Sequence, residues 1–242
     1  SVESAGTSVA AVKRGTLYFV IDDVGYNIQQ LEPFLKFPAP LTISVLPGLA
    51  YTVEAADLAR RAGKEVILHL PMEPLNGEDP GPGAIYANMG ENEIDRVLNE
   101  HMRELPFVKG VNNHMGSLVT ADRRVMFAVL SFLKREKLYF LDSLTTSRSV
   151  AGEIAGELQL PFIERSVFLD NQREKQAIKE AIEQGLTIAE KKGFAVMIGH
   201  VWSNELAELL MELYPGFIEE GYSLEQLSAF LLNKESDENT RN

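Results

Sequence analysis

The chain has no cysteine. Disulfides, thiolate-bound metal sites and cysteine nucleophiles are therefore excluded. Histidine is scarce, four in 242 residues, so the place of each one matters. Basic residues are outnumbered, 23 Lys and Arg against 35 Asp and Glu, for a formal charge of −12. That balance argues against nucleic acid or an anionic membrane surface as the main partner, since both require basic patches. No run of 18 apolar residues occurs, so no transmembrane helix is expected. There is no Walker A or G-x-G-x-x-G phosphate loop, no G-x-S-x-G elbow and no H-E-x-x-H pair, which speaks against phosphate-loop, serine-hydrolase and local zincin chemistry.

What is present is an alternation of strand-like and helix-like segments with no repeat and no linker. Strands are expected at Leu17–Asp22, Leu41–Leu46, Glu65–Leu70, Val108–Asn112, Leu138–Asp142, Pro161–Glu164 and Phe194–Gly199. Apolar stripes at helical spacing follow them. One is Ala55, Leu58, Ala59 and Ala62, closed by Gly63; others run through Ile94–Met102, Val125–Leu133 and Ala177–Ala189. A fifth, Leu206–Leu213, starts behind Ser203 as N-cap, and Ser223 with Gln226 resembles a capping box for a last helix. Such alternation predicts a single α/β domain with a parallel sheet, either a distorted barrel or a doubly wound open sheet. The polar segments 1–15 and 233–242 are expected to be flexible. Ser1–Gly15 has no apolar stretch of signal-peptide type, and is read either as the remnant of a removed leader or as a chain boundary. The stretch Pro71–Gly90, rich in Pro and Gly, is expected to be a lid, a binding wall or a plain insertion.

The densest segment is Leu17-Tyr18-Phe19-Val20-Ile21-Asp22-Asp23-Val24-Gly25, an apolar strand ending in two carboxylates. Chemistry in α/β folds gathers at the carboxyl ends of strands. Adjacent carboxylates there need a cation, a proton or an arginine to offset them. In this pair one acid would bind a cation and the other would take a proton, unless the two serve only as a cap or turn. Three of the four histidines also end strands: His69, followed by Glu73 as a candidate outer partner; His114, among Asn112, Asn113 and Ser117; and His200, a candidate general acid or base. His101 lies on a helical stripe and is assigned no catalytic role. One Asp with two His is a ligand set for an open catalytic site holding zinc, cobalt or another first-row ion. Arg165 is expected to pair with Asp22, and Asp142 or Asp170 to orient His200.

These segments, together with Leu68-His69-Leu70-Pro71-Met72-Glu73-Pro74, Gly110-Val111-Asn112-Asn113-His114-Met115-Gly116-Ser117, Phe140-Leu141-Asp142-Ser143 and Ile198-Gly199-His200, resemble the divergent polysaccharide deacetylases, in order from about residue 16 to 232. The resemblance implies a distorted seven-stranded (β/α) barrel forming one domain over 16–232. It implies a divalent metal, usually Zn2+, and hydrolysis of N- or O-acetyl groups on an acetylated carbohydrate. By its rule Asp22 is the base, Asp23 a metal ligand and His200 the general acid, with Arg165 and Asp142 in support. Typical members carry two metal histidines four residues apart; here Glu73 stands four after His69, so the resemblance assigns the metal to Asp23, His69 and His114. It also implies an extracytoplasmic location. The departure at Glu73 motivates an alternative, a non-catalytic metal-containing glycan-binding or sensor module of the envelope. A metal-dependent amidase or phosphoesterase is a third reading.

Overall fold

The computed structural model describes residues 13–230. Its strands are β1 (Gly15–Val24), β2 (Thr42–Val45), β3 (Glu65–Met72), β4 (Gly110–Met115), β5 (Tyr139–Asp142), β6 (Phe162–Glu164), β7 (Val167–Phe168), β8 (Phe194–His200) and β9 (Tyr222–Leu224). The helices are α1 (Ile28–Lys36), α2 (Thr52–Arg61), α3 (Glu91–Glu104), α4 (Arg123–Arg135), α5 (Ala151–Leu158), α6 (Lys175–Lys192) and α7 (Asn204–Glu219), with a 3-10 turn at Val119–Ala121. None of these helices is long and apolar enough to cross a membrane.

Every strand pairing is parallel, in the order β6-β5-β4-β3-β2-β1-β8-β7, with β9 added on β1. The two ends of that order, β6 and β7, are separated in sequence only by Arg165 and Ser166. Chain connectivity therefore holds the two edges together, because consecutive Cα atoms are about 3.8 Å apart. The Arg165 N–H donates to Asp142 O of β5 and the Ser166 N–H to Val196 O of β8. The sheet is thus a curled, distorted (β/α) barrel rather than an open doubly wound sheet. The strand count differs from the expected seven: β7 and β9, two and three residues long, are too short to show a period.

Alternation along the strands separates two cores. Leu17, Phe19 and Ile21 of β1 face outward and pack with the buried faces of the helices. Tyr18 and Val20 face the barrel interior with Ile67, Tyr139, Leu141, Ile163, Val196 and Ile198. The inward positions that come next at the carboxyl ends are Asp22, His69 and His200. At the opposite end, the buried Glu65 carboxylate accepts from Thr42 Oγ1, the Tyr139 hydroxyl and the Ser228 N–H.

The helical stripes fall on α2, α3, α4, α6 and α7. Ser203 caps α7 by accepting from the Leu206 N–H. Two shorter helices, α1 and α5, had no stripe assigned. The Ser223–Gln226 capping box does not form: Ser223 lies in β9 and its hydroxyl pairs with that of Thr16. The helical turn starts at 227. Of the segments expected to be flexible, 1–12 and 233–242 lie outside the described residues. Arg14 is ordered by ion pairs to Glu190 and Glu220, and Gly15 begins β1.

Candidate metal centre

At the end of β1 the alternation that should send Asp22 and Asp23 to opposite faces is broken. The β1–β2 register shifts between Ile21 and Val24. Asp23 adopts a left-handed conformation, φ +63°, which is uncommon outside glycine. Both carboxylates consequently reach the same site. Asp22 is buried at 2% exposure, with its oxygens 3.0 and 3.2 Å from Asn112 Nδ2.

Asn112 fixes more than Asp22. An ionised carboxylate only accepts hydrogen bonds, so the amide must turn Nδ2 toward it. Oδ1 then faces His69 Nδ1 at 2.9 Å and also accepts from the Ser44 hydroxyl at 2.6 Å. An oxygen acceptor there assigns the proton to His69 Nδ1. The neutral ring's lone pair on Nε2 is thereby aimed at the cluster.

That cluster is a triangle. His69 Nε2 is 3.2 Å from Asp23 Oδ1, His114 Nδ1 is 3.1 Å from the same oxygen, and the two nitrogens are 3.1 Å apart. Among the described residues this is the group of His, Asp and Glu side chains that meets the spacing for an ion. Asp23 Oδ1 is buried and receives no hydrogen bond of normal geometry. Metal–ligand distances of about 2.0–2.1 Å in a tetrahedral site put ligand atoms roughly 3.3 Å apart. One carboxylate oxygen and two imidazole nitrogens at this spacing fit a Zn2+-like ion.

The electrostatics agree with that donor set. Burial by itself would raise the Asp23 pKa, but the contacts with His114 and His69 outweigh it and hold the acid well below the usual carboxylate range. Burial opposes charge on His69 too, yet Asp22, Asp23 and Asn112 raise its pKa. A cluster that draws in a proton is one that a cation can satisfy in its place.

His200 sits beside this group, its Cα in register with that of Asp22 across β8 and β1. Asp170 binds it twice at 2.7 Å, through Nδ1 and through the backbone N–H. Nε2 is left as the ring's second donor or acceptor. Burial lowers the His200 pKa; the bond and charge of Asp170, then the charges of Asp22 and Asp23, overcome this and push it up to about 9.

Two expected contacts are replaced by others. Arg165 does not pair with Asp22: its guanidinium donates to Ser143 O and Leu144 O and lies 3.9 Å from the Phe168 ring centroid. The reason is that Arg165 spans the barrel seam, beside β5 rather than β1. Asp142 does not orient His200, because strand parity turns it away from the interior, to Ser149 Oγ and the Leu144 N–H; Asp170 takes that place. Glu73 points to the Ala87 N–H and not to the ligand triangle. His101 is buried in α3 and bonds Gly83 O. Asn112 is read from the sequence only as a polar neighbour of His114, and Trp202 is not read as a site residue. For Asn112 the available signal was its two-residue spacing from His114 on one strand; for Trp202 there was none.

A sequence profile of the divergent polysaccharide deacetylases matches residues 19–231. The chain belongs to the divergent polysaccharide deacetylase family. The uncharacterized protein YibQ of Escherichia coli K12 is 34% identical to it over 189 residues, which cover 78% of this chain and 59% of YibQ; the chain spans only that share of its relative. The fold is that of the uncharacterized protein ATU2773 of Agrobacterium tumefaciens C58, with a TM-score of 0.84 at 21% identity over 91% of each chain. A more distant likeness is to BA3943 of Bacillus anthracis, a CE4 family pseudoenzyme, with a TM-score of 0.55 at 13% identity over 91% of this chain and 66% of that one.

Proposed function

We propose that this divergent polysaccharide deacetylase is a metal-dependent hydrolase that removes N- or O-acetyl groups from a carbohydrate, with an envelope glycan outside the cytoplasm as its substrate. The observation that carries the reading is the ligand triangle of Asp23, His69 and His114 with a fixed carboxylate and a fixed imidazole beside it. Its donor set fits Zn2+. When bound, such an ion polarises the acetyl carbonyl and acidifies water.

The chain's own groups have separable roles. Asp22, held through both oxygens by Asn112 and 3.7 Å from His69 Nε2, accepts the proton of the attacking water. His200, protonated on Nδ1 against Asp170, delivers a proton from Nε2 to the departing amine or alcohol. Arg165 and Asp142 support the site from behind, by holding the β5 end through Ser143, Leu144 and Ser149.

The test is acetate release from acetylated oligosaccharides by the Zn2+-reconstituted protein. Asp22→Asn is expected to keep the metal and to lose about 10²–10⁴-fold in kcat, the usual share of a general base. Undiminished turnover in that variant would overturn the assignment of Asp22. A non-catalytic glycan-binding module is the second reading, supported by the CE4 pseudoenzyme among its structural neighbours and by Glu73 facing the loop. It predicts metal and glycan binding with no acetate released.

A further inference from the structure

Trp202 joins the two halves of this site. Its indole Nε1–H lies 3.2 Å from Asp23 Oδ2, the carboxylate oxygen outside the ligand triangle. Its ring stacks on His200, with centroids 5.0 Å apart and planes 13° from parallel. Phe168 also lies nearly parallel to His200, with centroids 6.0 Å apart and planes 16° from parallel. Each aromatic also carries a guanidinium: Arg173 is 4.9 Å from the Trp202 ring centroid and Arg165 is 3.9 Å from that of Phe168. The imidazole thus has two nearly parallel aromatic rings as neighbours and is held at Nδ1 by Asp170.

From this we infer that Trp202 is a positioning residue with two separate duties. It sets the rotation of the Asp23 carboxylate, and it sets the plane of His200. The first follows from donor chemistry. Indole N–H can only donate, so Oδ2 is engaged and Oδ1 alone is presented to an ion. Outer partners of metal ligands typically contribute 10–100-fold in affinity. The second duty follows from shape. With the indole stacked on it and Phe168 nearly parallel to it, the ring cannot turn far about its Cβ–Cγ bond unless a neighbour moves. Its Nε2 direction is therefore maintained without a hydrogen bond that would compete for the proton. This assignment rests on the hydrolase reading above.

Two substitutions separate the duties. Trp202→Phe keeps a stacking ring and removes the donor. Trp202→Gln keeps an N–H donor the same number of bonds from the backbone as the indole nitrogen and removes the ring. Zn2+ affinity would be read by competition with a chelating dye. The stack would be read from the His200 Cε1–H resonance, shifted upfield by flanking aromatic currents and assignable among four histidines. Trp202→Phe is expected to weaken Zn2+ binding about 10–100-fold and leave the His200 resonance in place. Trp202→Gln is expected to bind Zn2+ nearly as wild type, move that resonance downfield, and lower kcat at saturating metal with KM little changed. Because Trp202 is the sole tryptophan of the chain, the wild-type emission spectrum should also shift on Zn2+ addition. If the two variants lose affinity and resonance position together, in step with melting temperature, or if neither property changes, Trp202 is ordinary packing and the assignment falls. A wild type that binds no Zn2+ would instead sink the hydrolase reading, and the metal duty with it. A wild type that binds Zn2+ without releasing acetate leaves both readouts in force.

Discussion

Asn112 links the proposed base to a proposed ligand, with one amide bonded to Asp22 and to His69 Nδ1. Asn112→Ala should weaken Zn2+ binding about 10–100-fold, the usual effect of losing an outer partner, and should lower kcat as well. Asn112→Asp should do more harm, since it sets a second carboxylate against Asp22 and one of the two must take a proton. An Asn112→Ala protein with unaltered affinity and turnover would remove this role. Asp170 governs the acid. With the His200 pKa raised from 6.5 to about 9, the protonated ring stabilises the fold below pH 6.5, and that stability is lost as pH rises through about 9. Activity should fall over the same alkaline range. A bound cation offsets the share due to Asp22 and Asp23, placing the limb at or below about 9. Asp170→Asn should move the alkaline limb of the kcat profile to lower pH; a limb that stays put would mean His200 is not the acid.

The stretch from Pro71 to Gly90, expected to be a lid, a binding wall or a plain insertion, is tied to the body of the fold through residues 83–89. Ile85 bridges to Met72, with its N–H on Pro71 O and its carbonyl receiving the Glu73 N–H. Glu73 accepts from the Ala87 N–H, Arg124 of α4 donates to Ala87 O and Met89 O, and His101 of α3 bonds Gly83 O. The departure from the two-histidine loop therefore has a structural use, because Glu73 ties the loop down at Ala87. Gly83 is its tightest point, at φ +66° with an added Cβ only 2.3 Å from His101 Cε1. Gly83→Ala should cost about 1–3 kcal/mol, with a fall in melting temperature of roughly 2–4 °C per kcal/mol for a chain of this size. Gly77→Ala, at φ +75° with open space around it, should cost less. Equal losses in the two would show that the His101 contact is not what holds the loop.

The barrel brings the three proposed ligands from β1, β3 and β4, strands not all adjacent in the sheet. An ion held by Asp23, His69 and His114 would bridge these strands at their carboxyl ends and stabilise the native state by linkage. At a free Zn2+ concentration of about 100 times Kd the gain is about 2.7 kcal/mol, or roughly 5–11 °C in melting temperature. His114→Ala should abolish the shift. If Zn2+ leaves the wild-type midpoint unmoved, the triangle is not a metal site. Acidification should weaken the binding, because His69, whose pKa is raised, must release its proton to the solvent.

Much of this could be read from residue order. The run from Leu17 to Val20 announces a buried strand, and the helical stripes announce α2, α3, α4, α6 and α7, because burial imposes a period on the chain. Three histidines and two carboxylates at strand ends mark one face of an α/β fold, because parallel strands all point the same way. Other features left no local trace. Two- and three-residue strands such as β7 and β9 are shorter than any period. The bond from Asn112 to His69, the stack of Trp202 on His200, and the choice of Asp170 over Asp142 depend on how neighbouring strands are staggered and on where the barrel closes. A sequence period reports which side of a strand is buried; which side chain it meets there is set by strand register, and register exists only once the sheet has curled.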